Sequence, residues 1–126
     1  MNEDKKTILV IEDQADIAAT LQNKISAGGF NASIAQDGEE GLRMALDNHP
    51  DALLLDLILP KLDGMSVLEN IRKDEWGKSL PVIILTNLGT GDELTRAKEL
   101  GVSDFLIKTE VRLEDVVSKL NSLFID

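Results

Sequence analysis

Residues 50–64 read PDALLLDLILPKLDG, and the centre of that stretch decides the fold. Ala52-Leu53-Leu54-Leu55 is an unbroken apolar run that stops at Asp56. A strand with one face in water would alternate, whereas a continuous run fits a central parallel strand covered on both faces. Working outward, Val82 to Leu85 (VIIL) repeats the pattern between Pro81 and Thr86, and Thr7 to Glu12 (TILVIE) is a third short apolar run. Each is followed by helical spacing. Ile17, Leu21 and Ile25 run to the Gly28-Gly29 stop; Met65, Leu68 and Ile71 follow Pro60 and Gly64; Leu94, Ala97 and Leu100 are closed by Gly101. Two weaker pairs complete the series. A strand over 31–35 precedes a helix opened by Asp37-Gly38, carrying Leu42, Ala45 and Leu46 and ending at Asn48-His49-Pro50. A strand over 104–107 precedes a helix with Leu113, Val116, Val117, Leu120, Leu123 and Phe124 in three-four spacing. Five strand–helix units with short connections predict an α/β fold: one open, mostly parallel sheet with helices on both faces.

Length and charge bound the function. At 126 residues the chain is expected to be one domain over 1–126 with no linker and no effector module. Thirteen Lys and Arg against 23 Asp and Glu give a formal charge of −10, which repels phosphate backbones and anionic lipid and argues against direct nucleic-acid or membrane binding. With no Cys and a single His, thiolate chemistry and Cys- or His-based metal sites are excluded. MNEDKK does not read as a signal peptide and no run approaches a membrane span, so the expected location is cytoplasmic.

In a sheet of this kind the functional crevice lies outside the carboxyl ends of the strands. Strand one ends in Glu12-Asp13, strand three in Asp56, strand four in Thr86 and strand five in Lys108. Taken singly, these are helix caps, a β-branched strand end and a surface charge. Together they bring three carboxylates, a hydroxyl and an ammonium to one edge. Clustered carboxylates take up a proton or a cation, and a hard divalent cation such as Mg²⁺ suits an all-oxygen set that leaves positions for substrate phosphate. Asp56 is then the candidate nucleophile toward a phosphoryl group, with Thr86 and Lys108 holding the oxygens over which the transferring charge spreads. The acidic loop after strand one disfavours a flavin phosphate, and Gly89-Thr90-Gly91 is neither a Walker A nor a dinucleotide fingerprint.

Across Lys6 to Phe124 these segments resemble the receiver domain of bacterial two-component response regulators: ILVIED, DGEEGL, PDALLLDLILPKLDG, PVIILT and GVSDFLIK occur in that order. The resemblance implies a flavodoxin-like (βα)5 sandwich with strand order 2-1-3-4-5. It implies that Asp56 accepts a phosphoryl group from a sensor histidine kinase or a histidine phosphotransfer protein. Mg²⁺ (or Mn²⁺) would be held by Glu12, Asp13, Asp56 and the backbone carbonyl of Ile58. Thr86 and Phe105 match the switch pair, acting on the face of the fourth helix, fifth strand and fifth helix; that face would bind a downstream target protein or a second copy of the chain. The domain would catalyse only its own phosphorylation and slow dephosphorylation, and would not be an enzyme with a turnover substrate.

Three departures stand out. Lys108 is followed by Thr109 where the family has Pro in a cis peptide, and a cis bond without proline costs about 2.5–4 kcal/mol, so either that cost is met or Lys108 is aimed differently. Asn87 replaces the usual Ala or Gly and would crowd the phosphoryl pocket or add a donor. Ile58 and Leu88 are apolar where fast-hydrolysing receivers are polar, which predicts a long-lived phosphoryl state. The alternatives are a phosphorylation-incompetent receiver serving only as an interaction or dimerisation module, and a phosphohydrolase of the haloacid-dehalogenase type; the latter would need an Asp at position 58. His49 is expected in solvent and Trp76 over the end of the third helix.

Overall fold

The structure, a computed structural model, describes residues 5–87 and 91–125. Its elements are β1 (Thr7–Ile11), α1 (Ala15–Ala27), β2 (Asn31–Ala35), α2 (Gly38–Asn48), β3 (Ala52–Leu55), α3 (Gly64–Lys73), a 3₁₀ turn (Trp76–Ser79), β4 (Val82–Thr86), α4 (Gly91–Glu99), β5 (Asp104–Ile107) and α5 (Leu113–Ser122). The five strands form one parallel sheet in the order β2-β1-β3-β4-β5, as expected. Ile11 lies beside Leu55, Leu55 beside Ile84, and Thr86 beside Ile107, so the strands end at one level and their following residues converge.

The unbroken apolar runs are explained by two cores. Leu9, Ile11, Leu53, Leu55, Val82 and Ile84 pack with Ala45, Leu68, Ile71 and Ala97 from α2, α3 and α4. The alternate residues Ile8, Val10, Ala52, Leu54, Ile83 and Leu85 pack with Leu21 and Ile25 of α1 and Val116 and Leu120 of α5. Since successive strand side chains point to opposite faces, covering both faces requires every position to be apolar.

Two acidic residues near the strand ends serve as helix caps, Asp37 also pairing with Lys61 at 3.6 Å. Asp37 accepts the Glu40 N–H at 2.7 Å and Asp63 accepts the Ser66 N–H at 2.9 Å, each satisfying a free donor of its helix. The loop between β3 and α3 is held tightly. The Leu62 N–H donates to the Pro60 carbonyl at 2.8 Å around Lys61, whose φ of 71° lies in the left-handed region. A Cβ on Gly64 would sit 2.3 Å from the Asp56 carbonyl oxygen, so only glycine lets α3 start against the end of β3.

The fourth helix departs from expectation. Of Leu94, Ala97 and Leu100, only Ala97 is fully buried, and Leu100 falls beyond the last helical residue. Trp76 lies in the 3₁₀ turn after α3, half-buried against the α2–α3 core, and His49, exposed as expected, stacks on it with centroids 4.4 Å apart and planes 13° from parallel. Leu88, Gly89 and Thr90 lie outside the described residues.

Candidate functional site

Every sequence-predicted site residue outside the switch pair meets at the carboxyl edge of β1, β3 and β5. Glu12 is fixed by its N–H to the Ala35 carbonyl (3.0 Å), Asp56 by its N–H to Ile11 (3.1 Å), and Lys108 by its N–H to Thr86 (2.8 Å), so the ladder itself aims these side chains. Neither Glu12 nor Asp13 caps α1; the N-cap is Gln14, whose side chain makes no capping bond. Glu12 is buried and Asp13 exposed, with carboxylate oxygens of Glu12, Asp13 and Asp56 all within 4.8 Å of one another.

Lys108 is at the centre. Its ammonium lies 2.7 Å from Asp56 Oδ2 and is also ion-paired to Glu12, and the peptide from Lys108 to Thr109 is trans. The ammonium therefore reaches the predicted acceptor without the cis bond. Asp56 Oδ1 accepts the Ile58 N–H at 3.1 Å, and Glu12 Oε2 accepts the Gln14 N–H at 3.1 Å. Burial raises the Glu12 pKa above the carboxylate norm, against the opposing pull of Lys108 and the Gln14 N–H. For Lys108, burial pulls the pKa down, but the contacts with Asp56 and Glu12 outweigh it and hold the ammonium above its ordinary value. Three carboxylates against one ammonium leave an excess of negative charge that a divalent cation would balance.

The donor set fits such a cation. Mg²⁺ takes oxygens at about 2.0–2.1 Å in octahedral geometry, so ligands across the ion lie about 4 Å apart, close to the spread of these oxygens. Thr86 adds an unsatisfied hydroxyl at the same edge. It is fully buried, and its hydroxyl has no hydrogen-bond partner, a state that costs about 1–3 kcal/mol. Phe105 is half-buried on β5 against the α2–α3 core. Ile58 presents its side chain to solvent at 51% exposure. An open cavity of about 200 Å³ is bounded by Asp13, Gln14, Asp56, Ile58, Asn87 and Lys108. Gln14 was not anticipated; its position directly after the acidic pair was the only signal.

The comparisons agree with this geometry. The family described as "Response regulator receiver domain" matches residues 8–121. The transcriptional regulatory protein PrrA of Mycobacterium tuberculosis is 35% identical over 116 residues, covering 92% of this chain and 48% of PrrA. The chain thus spans about half the length of the curated relatives it matches. Among solved structures, the receiver domain of the Francisella response regulator 1452 is 29% identical with a TM-score of 0.85, covering 94% of this chain and 96% of that one. The receiver domain of the sensor histidine kinase PA1611 from Pseudomonas aeruginosa, with magnesium coordinated in its active-site cleft, is 27% identical with a TM-score of 0.83 and covers 94% and 96%. With the expected strand order, the acidic cluster and the family match over nearly its whole length, this chain belongs to the response regulator receiver domains of two-component signalling.

Proposed function

We propose that Asp56 accepts a phosphoryl group from a phosphohistidine on a sensor histidine kinase or histidine phosphotransfer protein, and that the chain acts as one receiver domain over 1–126. The observation that carries this reading is the Lys108 ammonium against Asp56 and Glu12, with the unpartnered Thr86 hydroxyl on the neighbouring strand. An Asp56 oxygen attacks phosphorus; the P–N bond breaks, its electron pair stays on the imidazole, and an O–P bond forms. Lys108 and Thr86 then take equatorial oxygens of the phosphoryl group. Glu12, Asp13, Asp56 and the Ile58 carbonyl would hold Mg²⁺ or Mn²⁺, which supplies charge neutralisation at the transferring group. The magnesium in the cleft of the PA1611 receiver supports this assignment.

A groove of about 330 Å³ between α1 and α5, lined by Ile17, Leu21, Val111 and Leu113, shares Lys108 with the acceptor cavity. It supports docking of the phosphodonor protein beside Asp56. In the switch, Thr86 moves onto the phosphoryl group and Phe105 turns inward, altering the α4-β5-α5 face for a downstream target protein or a second copy. Catalysis is confined to the chain's own phosphorylation and dephosphorylation. No helix among the described residues is long and apolar enough to cross a membrane, which is consistent with a cytoplasmic site of action. The position of Lys108 argues against the phosphorylation-incompetent module, and Ile58 in place of a second Asp against the phosphohydrolase.

The test is intact mass after incubation with acetyl phosphate or phosphoramidate, with Mg²⁺ or EDTA, on wild type and Asp56→Asn. A Mg²⁺-dependent gain of one phosphoryl group, absent in the variant, is expected. No gain in folded wild type overturns the reading.

A further inference from the structure

We propose that Asn87 holds the water that hydrolyses the phosphoryl group on Asp56, and so sets how long the phosphorylated state lasts; this rests on Asp56 being the acceptor. The argument is one of chemistry within the acceptor cavity. Of its lining groups, the Asp13 and Asp56 carboxylates belong to the cation and the acceptor. The Lys108 ammonium is engaged by Asp56 and Glu12. Ile58, half exposed on the rim, offers only C–H surface to a water. Two neutral carboxamides remain, Gln14 and Asn87. A carboxamide both accepts and donates, so it can take a hydrogen of the water on its oxygen while its NH₂ binds a phosphoryl oxygen.

Position separates the two. Gln14 follows Asp13, on the cation side, with its backbone N–H tied to Glu12. Asn87 follows Thr86, whose carbonyl accepts the Lys108 N–H at 2.8 Å, so it neighbours the two groups that take phosphoryl oxygens. It is exposed and makes no side-chain hydrogen bond to another described residue, so its amide is free to serve a water. The cavity has the room: about 200 Å³ exceeds several times the roughly 30 Å³ share of a liquid water. In the step, the water oxygen bonds to phosphorus and the P–O bond to Asp56 breaks. The carboxylate is regenerated with the bonding pair, and the water proton leaves on the phosphate as dihydrogen phosphate.

Wild type, Asn87→Ala and Gln14→Ala are phosphorylated with phosphoramidate and Mg²⁺, freed of donor, and followed by intact mass. Once phosphorylated, Asn87→Ala is expected to hydrolyse about tenfold more slowly than wild type, and Gln14→Ala at the wild-type rate. Cleavage by hydroxylamine, which attacks the acyl carbon and needs no placed water, should be the same in wild type and Asn87→Ala. Equal or faster hydrolysis in Asn87→Ala, or a parallel change in hydroxylamine cleavage, would mean that Asn87 only shutters the cavity and overturns the proposal. Failure of wild type to take up phosphoryl at all would instead overturn the acceptor reading, and this proposal with it.

Discussion

The Lys108 ammonium lies 2.7 Å from Asp56 Oδ2 across the edge of the sheet, while the peptide after Lys108 is trans. The carbonyl of Thr86 anchors the Lys108 N–H, and the pairing with Asp56 and Glu12 holds the ammonium in place with that trans peptide. Thr109→Pro is therefore expected to bring no gain in phosphorylation rate. Lys108→Ala should slow phosphorylation by about 10²-fold, the usual effect of removing one charge-stabilising donor. It should also tighten Mg²⁺ binding, because the ammonium competes for the same carboxylates. Phosphorylation kinetics and a Mg²⁺ titration check both, and weaker Mg²⁺ binding in Lys108→Ala would show that the two cations do not compete.

Thr86 combines full burial with an unpartnered hydroxyl. Valine has nearly the same shape and no group to leave unsatisfied, so Thr86→Val is expected to stabilise the unphosphorylated protein by about 1 kcal/mol. The same variant should take up phosphoryl but lose the change it induces on α4 and β5. Denaturant unfolding and amide exchange with and without phosphorylation separate the two effects; a destabilised Thr86→Val would mean that the hydroxyl has a partner in solution.

Much of this was legible beforehand because strand runs and strand-end residues are local signals. ALLL and VIIL could be covered on both faces only in a parallel sheet, and the ladder then carried Glu12, Asp56, Thr86 and Lys108 to one edge without further assumption. What escaped was whatever depends on distant packing. Leu94 and Leu100 fit a helical face, yet neither is fully buried; α4 closes its core face with Ala97. The stack of His49 on Trp76 joins the end of α2 to the turn after α3, a meeting no sequence period encodes. The Glu12–Asp13 pair reads as a helix start, and only the geometry gives α1 its N-cap at Gln14 instead.

Ile58, which lines the same cavity as Asn87, also bears on the lifetime of the phosphorylated state. An apolar side chain there binds no water, so slow hydrolysis is expected in wild type, and Ile58→Asn should shorten the lifetime about tenfold by supplying a second carboxamide. Decay of the phosphoryl mass after donor removal measures it. A wild-type lifetime of seconds in Mg²⁺ would contradict this reading of Ile58.

Glu12 adds a pH dependence of its own to the unliganded protein. Burial raises its folded pKa above the ordinary 4.5, so the folded state holds the proton more firmly than the unfolded chain. Its contribution is fully present below the unfolded value and is lost as pH rises through the raised folded value. In EDTA, melting temperature should thus fall over that window more steeply in wild type than in Glu12→Gln. Mg²⁺ should restore wild type and do less for the variant. Parallel pH profiles in EDTA would show that Glu12 stays ionised at no cost.

Arg72 has no carboxylate partner among the described residues, and its guanidinium is spent on the backbone: Nε on the Leu100 carbonyl (2.6 Å), one terminal nitrogen on Gly77 (2.7 Å) and Leu80 (2.8 Å), the other on Gly101 (3.3 Å). It thereby ties α3 to the turn before β4 and to the end of α4, a helix that buries only Ala97 itself. Burial lowers its pKa, but a guanidinium keeps its charge at any ordinary pH. Arg72→Met should cost about 3 kcal/mol, since four carbonyls lose a charged donor. Arg72→Lys should recover only part of this, because an ammonium cannot span the same fork. Amide exchange should speed up most at the end of α4 and in the turn before β4. Exchange rising evenly over the domain would mean that Arg72 serves global stability and is no local tie.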